Sequence, residues 1–402
     1  MKRICLVVVG LYLQLLSAFS QTVDTTNYKP RKLTINEINL VHSYYHQEGD
    51  HSAVTGGIGT QKLSDYANNI ELNLMKYNKY NRKIDLNIDM GIDYYTSASS
   101  DNIDPSTISS ASSHDLHIYP TVTRTATNEQ KGTKNNFQLS FSAESDYFSY
   151  GFGGGFAKQS KDRNRELTVN AKLYLDQVRI ILPIELRTLT TGGFPGAPNE
   201  HDYPYKSRNT FSSSYTLSQV INKRWQLLFL LDLAYQQGYL SLPFHRIYFS
   251  DNSETIERLP SERFKIPVGI RSSYFIGDRL VLRSYYRFYH DDWGLDAHTI
   301  DNELAIKFTP FFSISPFYRY YTQTAIRYFA GYKMHASTEQ YYSSDYDLAA
   351  FNSSFFGAGF RWAPPKGVLG HPNWSMVELR YGHYSKTDGF VSNVISVNLK
   401  FK

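Results

Sequence analysis

The chain has 402 residues, 33 of them Tyr and 25 Phe, with a single Cys and a formal net charge of +5. One cysteine excludes a disulfide framework, and so mild a charge gives no footprint for nucleic acid. Beyond residue 20 no stretch approaches the roughly 18 apolar residues of a membrane helix. A helical membrane protein is thereby excluded. A β-barrel is not, because its lipid-facing and lumen-facing residues alternate and cancel in a mean hydropathy of −0.42.

Residues 1–20 read as a secretory leader: Lys2 and Arg3 supply charge, Ile4 to Leu16 an apolar core, and Ala18-Phe19-Ser20 a small-residue cleavage site. Cys5 lies inside that leader, so the mature chain is expected to contain no cysteine. Residues 21–33 form a short polar lead on the periplasmic side. Residues 34–402 read as one domain, with no linker or composition shift to divide them.

Sixteen alternating segments follow, at 34–46, 65–77, 82–96, 114–126, 135–145, 147–158, 166–177, 208–221, 224–237, 263–276, 279–289, 297–308, 311–323, 347–362, 374–385 and 390–401. Period-two alternation marks a strand with one apolar and one polar face. In the third segment Ile84, Leu86, Ile88, Met90 and Ile92 alternate with Asp85, Asn87, Asp89, Gly91 and Asp93. In the eleventh Leu280, Leu282, Tyr286 and Phe288 oppose Arg283, Tyr285, Arg287 and Tyr289. Each is about ten residues or longer, the length of a tilted bilayer-spanning strand. Weak patterning in the fourth to sixth and the eighth leaves the count between 14 and 18. The glycines from Gly151 to Gly155 lie within a strand and are expected to relieve crowding at a bend.

The connections have a parity. Those after even strands are the shorter set, such as 78–81, 222–223, 277–278 and 309–310. The longest all follow odd strands: 47–64, 97–113, 178–207, 238–262 and 324–346. A soluble sandwich gives no reason for this. An outer-membrane barrel does, having short periplasmic turns and long outer loops. The fold class expected is all-β, a transmembrane antiparallel up-and-down β-barrel in the bacterial outer membrane. Loops 188–207 and 238–262 are long enough to fold inward as a plug or outward as a partner surface.

With apolar positions toward lipid, the polar faces carry two sets of charge. Early strands point acids inward: Glu71, Asp85, Asp89, Asp93 and Glu144. Later strands point bases inward: Lys265, Arg271, Arg283, Arg287, Arg319 and Arg361. Facing arcs of opposite sign would set a transverse field that orders polar solutes. The competing account is that the charges pair and fill the interior. In the turn after the eleventh strand His290, Asp291, Asp292, Asp296 and His298 carry metal-ligating atoms, although turns favour Asp for conformational reasons as well. His42 and His46 share one strand face. No Gly-x-Ser-x-Gly elbow and no phosphate loop is present, so neither an enzyme nor a cofactor is expected.

Six segments carry a family resemblance: HSAVTGGIGT at 51–60, LPFHR at 242–246, YRFYHDDWG at 286–294 with AHT at 297–299, PFYRYYTQTA at 316–325, SDYDL at 344–348 and ELRYGHY at 378–384. The chain resembles an uncharacterised family, a domain of unknown function, of predicted outer-membrane β-barrel proteins of Gram-negative bacteria. The resemblance implies location and fold and brings no catalytic residues. The reading is a pore for small polar solutes or ions, in contact with outer-membrane lipid and inserted by the barrel-assembly machinery. The alternative is a non-conducting barrel that anchors a periplasmic or surface partner through its long loops.

Overall fold

A computed structural model describes residues 30–96, 115–183, 186 and 204–402. The leader, residues 21–29 of the polar lead, the whole 97–113 connection and most of loop 188–207 lie outside the described residues. Sixteen strands form one closed antiparallel barrel. They are β1 (Thr34–Glu48), β2 (Leu63–Tyr77), β3 (Lys83–Tyr95), β4 (Asp115–Asn128), β5 (Thr133–Ala143), β6 (Tyr147–Gln159), β7 (Arg165–Arg179), β8 (Tyr205–Asn222) and β9 (Trp225–Gly238). After a two-stranded hairpin, β10 (Arg246–Tyr248) and β11 (Glu254–Ile256), come β12 (Glu262–Ile276), β13 (Leu280–Asp291), β14 (Asp296–Thr309), β15 (Phe312–Gln323), β16 (Phe351–Trp362), β17 (Trp374–Lys386) and β18 (Val391–Phe401).

Each barrel strand pairs with its sequence neighbour, and β1 closes on β18 from Ile38 opposite Phe401 to Glu48 opposite Val391. Closure leaves no unpaired edge, which is what lets a sheet cross hydrocarbon. The wall sorts its side chains by parity. Phe308, Phe137, Phe211 and Ile300 stand exposed on the outside, where lipid covers them. Among the described residues no helix is long and apolar enough to cross a membrane; the strands do the crossing. A closed, even-stranded barrel with an apolar outer wall is the β-architecture of the outer membrane, and this chain is such a barrel.

The short turns explain their own sequences. At the β2–β3 turn the Asn78 side chain accepts from the backbone N–H groups of Tyr80 and Arg82, both at 3.0 Å, an Asx turn. At the β14–β15 turn Thr309 Oγ1 accepts from the N–H groups of Phe311 and Phe312.

Every expected strand is present, and sixteen is the number. Two boundaries move by more than two residues: the eighth segment starts at Tyr205 rather than 208, and the fourteenth moves for a clear reason. The fourteenth segment starts at Phe351 rather than 347, because the Asp345 side chain accepts from Asp347 N–H at 2.9 Å and caps a helical turn over Tyr346–Leu348. The glycine run of β6 is paired residue by residue with β5 and β7 without a register shift. Its crowding comes from neighbours leaning over it: a Cβ on Gly151 would strike Tyr174 and Ser140, and one on Gly155 would strike Asn170.

Candidate functional site

The site has two parts, the lumen and the mouth. Register fixes the lumen. Arg283 lies opposite Glu303, Arg287 opposite Thr299, Asp301 opposite Arg319, and Arg361 opposite Glu378, all on the face away from the exposed apolar side chains. On β12 and β13 Lys265, Arg271, Arg283 and Arg287 share that face; Arg319 and Arg361 extend it along β15 and β16. Glu71 of β2 and Asp85, Asp89 and Asp93 of β3 point inward from the other side, with Glu144 just past the end of β5. In the closed order β3 and β13 stand eight steps apart in either direction, so they face each other across the lumen.

The two walls are built differently. The basic wall carries its own counter-charges. Arg283 pairs with Glu303 at 2.5 Å, Arg319 with Asp301 at 2.8 Å, and Arg380 with Glu303 at 2.8 Å and Glu378 at 3.4 Å. Arg271 and Arg287 instead lie over the Tyr285 and Tyr289 rings, and Arg361 Nε approaches Met376 Sδ at 3.1 Å. The acidic wall is held mostly by neutral donors. Glu71 accepts from Asn39, Asn73 and Asn87, and Asp89 from Asn69. Asp93 accepts from the Tyr119 hydroxyl, and Asp85 pairs with Lys83. Amide donors satisfy a carboxylate without cancelling its charge.

The mouth is built by four connections on the side opposite the short turns: residues 49–62, 239–261, 292–295 and 324–350. The first is rooted between β1 and β2, the second between β9 and β12. Those two gaps are also eight strands apart in either direction. Yet the loops bond to each other, with Arg246 Nη1 donating to the Val54 carbonyl at 2.8 Å. Segments rooted on opposite walls of a closed barrel can meet only across its opening. The third partner is the 324–350 connection: the His51 ring stacks on Tyr346 at 3.9 Å and 9°. Arg258 and Tyr342 exchange both backbone hydrogen bonds.

This bridge has a core of its own. Ile247, Phe249 and Tyr342 form one buried cluster, with Ile247 at 0% exposure. Trp293, Leu295, Leu259, Ala297 and Ile326 form another. Asp291, at the top of β13, ties the second cluster to the wall. Its Oδ2 accepts from Arg263 at 2.5 Å and from the Tyr289 hydroxyl at 2.8 Å, while Oδ1 accepts from the N–H groups of Trp293 and Leu295.

The turn residues of the expected metal group are placed in different directions. Asp291 is buried in that hub. His290 pairs with Asp296 at 2.7 Å where both are half exposed, and His298 Nδ1 meets the Tyr286 hydroxyl on the outer wall. Asp292 Oδ1 accepts from Phe264 N–H. His42 and His46 bond to Asn68 and Ser64 of β2.

Three other residues do converge. His245, Glu257 and Asp345 bring one nitrogen and two carboxylate oxygens within 4.8 Å of one another. Glu257 is fixed by Leu242 N–H at 2.8 Å and the Ser343 hydroxyl at 2.5 Å. Burial opposes charge on His245, but the Glu257 carboxylate beside it outweighs this and raises its pKa. Burial likewise works against charge on Glu257, and His245 holds its pKa low all the same. Burial, with Asp347 and Glu257 nearby, pushes Asp345 up to about 6. A cavity of about 370 Å³ borders the cluster and is lined in part by Glu257, Tyr239, Arg258 and Tyr342. His245 and Asp345 lie in segments 242–246 and 344–348, two of those that carry the family resemblance; Glu257 lies in none of them.

Solved structures similar to the chain include OccK1 (OpdK) of Pseudomonas aeruginosa, at 7% identity, with 93% of this chain and 99% of that one covered and a TM-score of 0.40. OccAB4 of Acinetobacter baumannii gives 8%, 94%, 99% and 0.39. A mutant ferric enterobactin receptor, PfeA, of P. aeruginosa gives 9%, 87%, 53% and 0.45. No curated protein matches the sequence. One family model does match, over residues 121–368 and thus more than half of the chain, and the barrel with its bridged mouth belongs to the family described as protein of unknown function DUF3570.

Proposed function

We propose that the chain is an outer-membrane channel for small polar solutes or ions, with entry limited by the loops that meet across its mouth. The observation that carries this reading is the exposure of inward-pointing arginines. The side chains of Arg283 and Arg319 are 56% and 49% exposed inside a closed wall. A filled interior would bury them; solvent reaches them instead. The acidic wall of Glu71 and Asp89 faces this water with its charge uncancelled, and β13 presents Arg271's neighbour Arg287 opposite it. Lys265, Arg361, Asp85, Asp93 and Glu144 extend the two arcs along the axis.

The test is single-channel recording of refolded protein in a planar bilayer, after heat-modifiable gel mobility has confirmed a folded barrel. Discrete ion-selective steps support the channel. A folded barrel without steps overturns it and favours the second reading, a non-conducting anchor, for which the bridged mouth itself is the supporting observation. Arg287 is the residue to vary, because no carboxylate lies within 4 Å of it among the described residues and its replacement breaks no ion pair. Arg287→Glu should move the reversal potential toward cation preference, while an unchanged potential would remove Arg287 from the conduction path.

A further inference from the structure

We infer that His245, Glu257 and Asp345 bind a divalent transition-metal ion of the zinc class, which joins the 239–261 loop to the 324–350 loop over the mouth. The donor set is one imidazole nitrogen with two carboxylate oxygens, a mixture that suits such ions. Calcium is disfavoured, since it takes six to eight oxygen ligands. An ion about 2.1 Å from each donor needs donor separations of about 3.4 Å in a tetrahedral arrangement. His245 Nδ1 and Glu257 Oε1 already stand 3.7 Å apart.

The imidazole Nδ1 itself lacks a partner. The His245 side chain is nine-tenths buried, and its Nδ1 has no hydrogen-bond partner although it points into the carboxylates. At 3.7 Å the Glu257 oxygen lies beyond hydrogen-bond range. A buried polar atom without a partner calls for a missing one, and here two carboxylates face the same point.

The surroundings are those of a supported ligand set. Leu242 N–H and the Ser343 hydroxyl orient the Glu257 carboxylate, and Asp347 N–H orients that of Asp345. Such outer contacts hold first ligands in place and tune their basicity. The adjoining cavity, with Glu257 on its wall, gives an ion a way in. Two ligands come from one loop and the third from the other, so the ion would act as a clamp on the bridge.

The test uses the full chain refolded in detergent, stripped with a chelator and dialysed to equilibrium against Zn²⁺ at near-neutral pH, with metal counted by mass spectrometry. The expected result is one Zn²⁺ per folded barrel, lost in Glu257→Gln and in His245→Ala and retained in His290→Ala. Zn²⁺ should also slow proteolysis within the 324–350 loop of the wild type. Absence of stoichiometric Zn²⁺ from a folded barrel overturns the site, as does binding that survives His245→Ala. Should His245→Ala fail to fold, Asp345→Asn with Co²⁺ as the probe decides: visible d–d absorption that the variant loses supports the site, and absorption that it keeps overturns it. Channel conductance enters none of these readouts, so the metal site and the channel stand or fall separately.

Discussion

Asp291→Ala should unfasten the bridge over the mouth while leaving the barrel closed, at a local cost of about 3–5 kcal/mol. The argument rests on what the carboxylate leaves behind. Its side chain is fully buried, and that of Arg263, its partner, is only 13% exposed. Removing the acid strands a guanidinium in a site of low dielectric, where an uncompensated charge is far costlier than the pair was favourable. The same change takes the acceptor from the Trp293 and Leu295 N–H groups, both already buried. Trp293 then loses its anchor under the guanidinium of Arg263, which lies 4.3 Å from its ring. The barrel ladder is untouched, because β13 pairs with β12 and β14 through backbone groups along its length. Hydrogen exchange should therefore accelerate in residues 292–295 and 326–343 and stay slow in the strands. Asp291→Asn, which keeps an acceptor without the charge, should fall between. Unchanged exchange at 292–295 in the alanine variant would show that the hub does not hold the loops.

The contrast between strand and loop decides how much was legible beforehand. Alternation such as Ile84 to Asp93 is visible because each residue's face follows from its neighbour's. With one face apolar, register and sidedness come with it. Hence the barrel, its strands and the inward direction of Arg287 or Asp89 could be read from the chain. What could not be read is which charges meet. The Arg380–Glu303 pair joins β17 to β14 across the two strands between them, a relation with no local signature. The loops carry no period at all. Ile247 and Trp293 look like residues of polar turns until the 239–261 and 324–350 loops enclose them. His245 and Asp345 sit in recognisable segments, but their meeting with Glu257 joins positions about a hundred residues apart, which only the folded loops reveal. The turn at 290–298 shows the reverse case. Its His and Asp residues are dense in sequence, but strand alternation sends His290 and Asp291 to opposite faces.

Shortening the 49–62 connection should raise the unitary conductance severalfold. This loop is the arm of the bridge rooted on the far wall, and its tip fits its partners closely. Gly56 and Gly57 hold φ of +79° and +87°, a region costly for residues with a Cβ. A Cβ on Gly56 would stand 2.6 Å from the Tyr248 ring, and one on Gly57 would stand 2.9 Å from the Ser344 carbonyl. Gly56→Val therefore tests the arm without deleting it, since it brings both backbone strain and a clash at the contact. Replacing residues 52–58 by a two-residue turn removes the Val54 acceptor of Arg246 while β1 and β2 keep their ladder from Thr34 to Gln47. The deletion should give larger steps and Gly56→Val more frequent opening at unchanged step size, both recorded on barrels with wild-type heat-modifiable mobility. If neither variant alters conductance, the arm does not obstruct the path, and solutes enter beside the bridge rather than through its release.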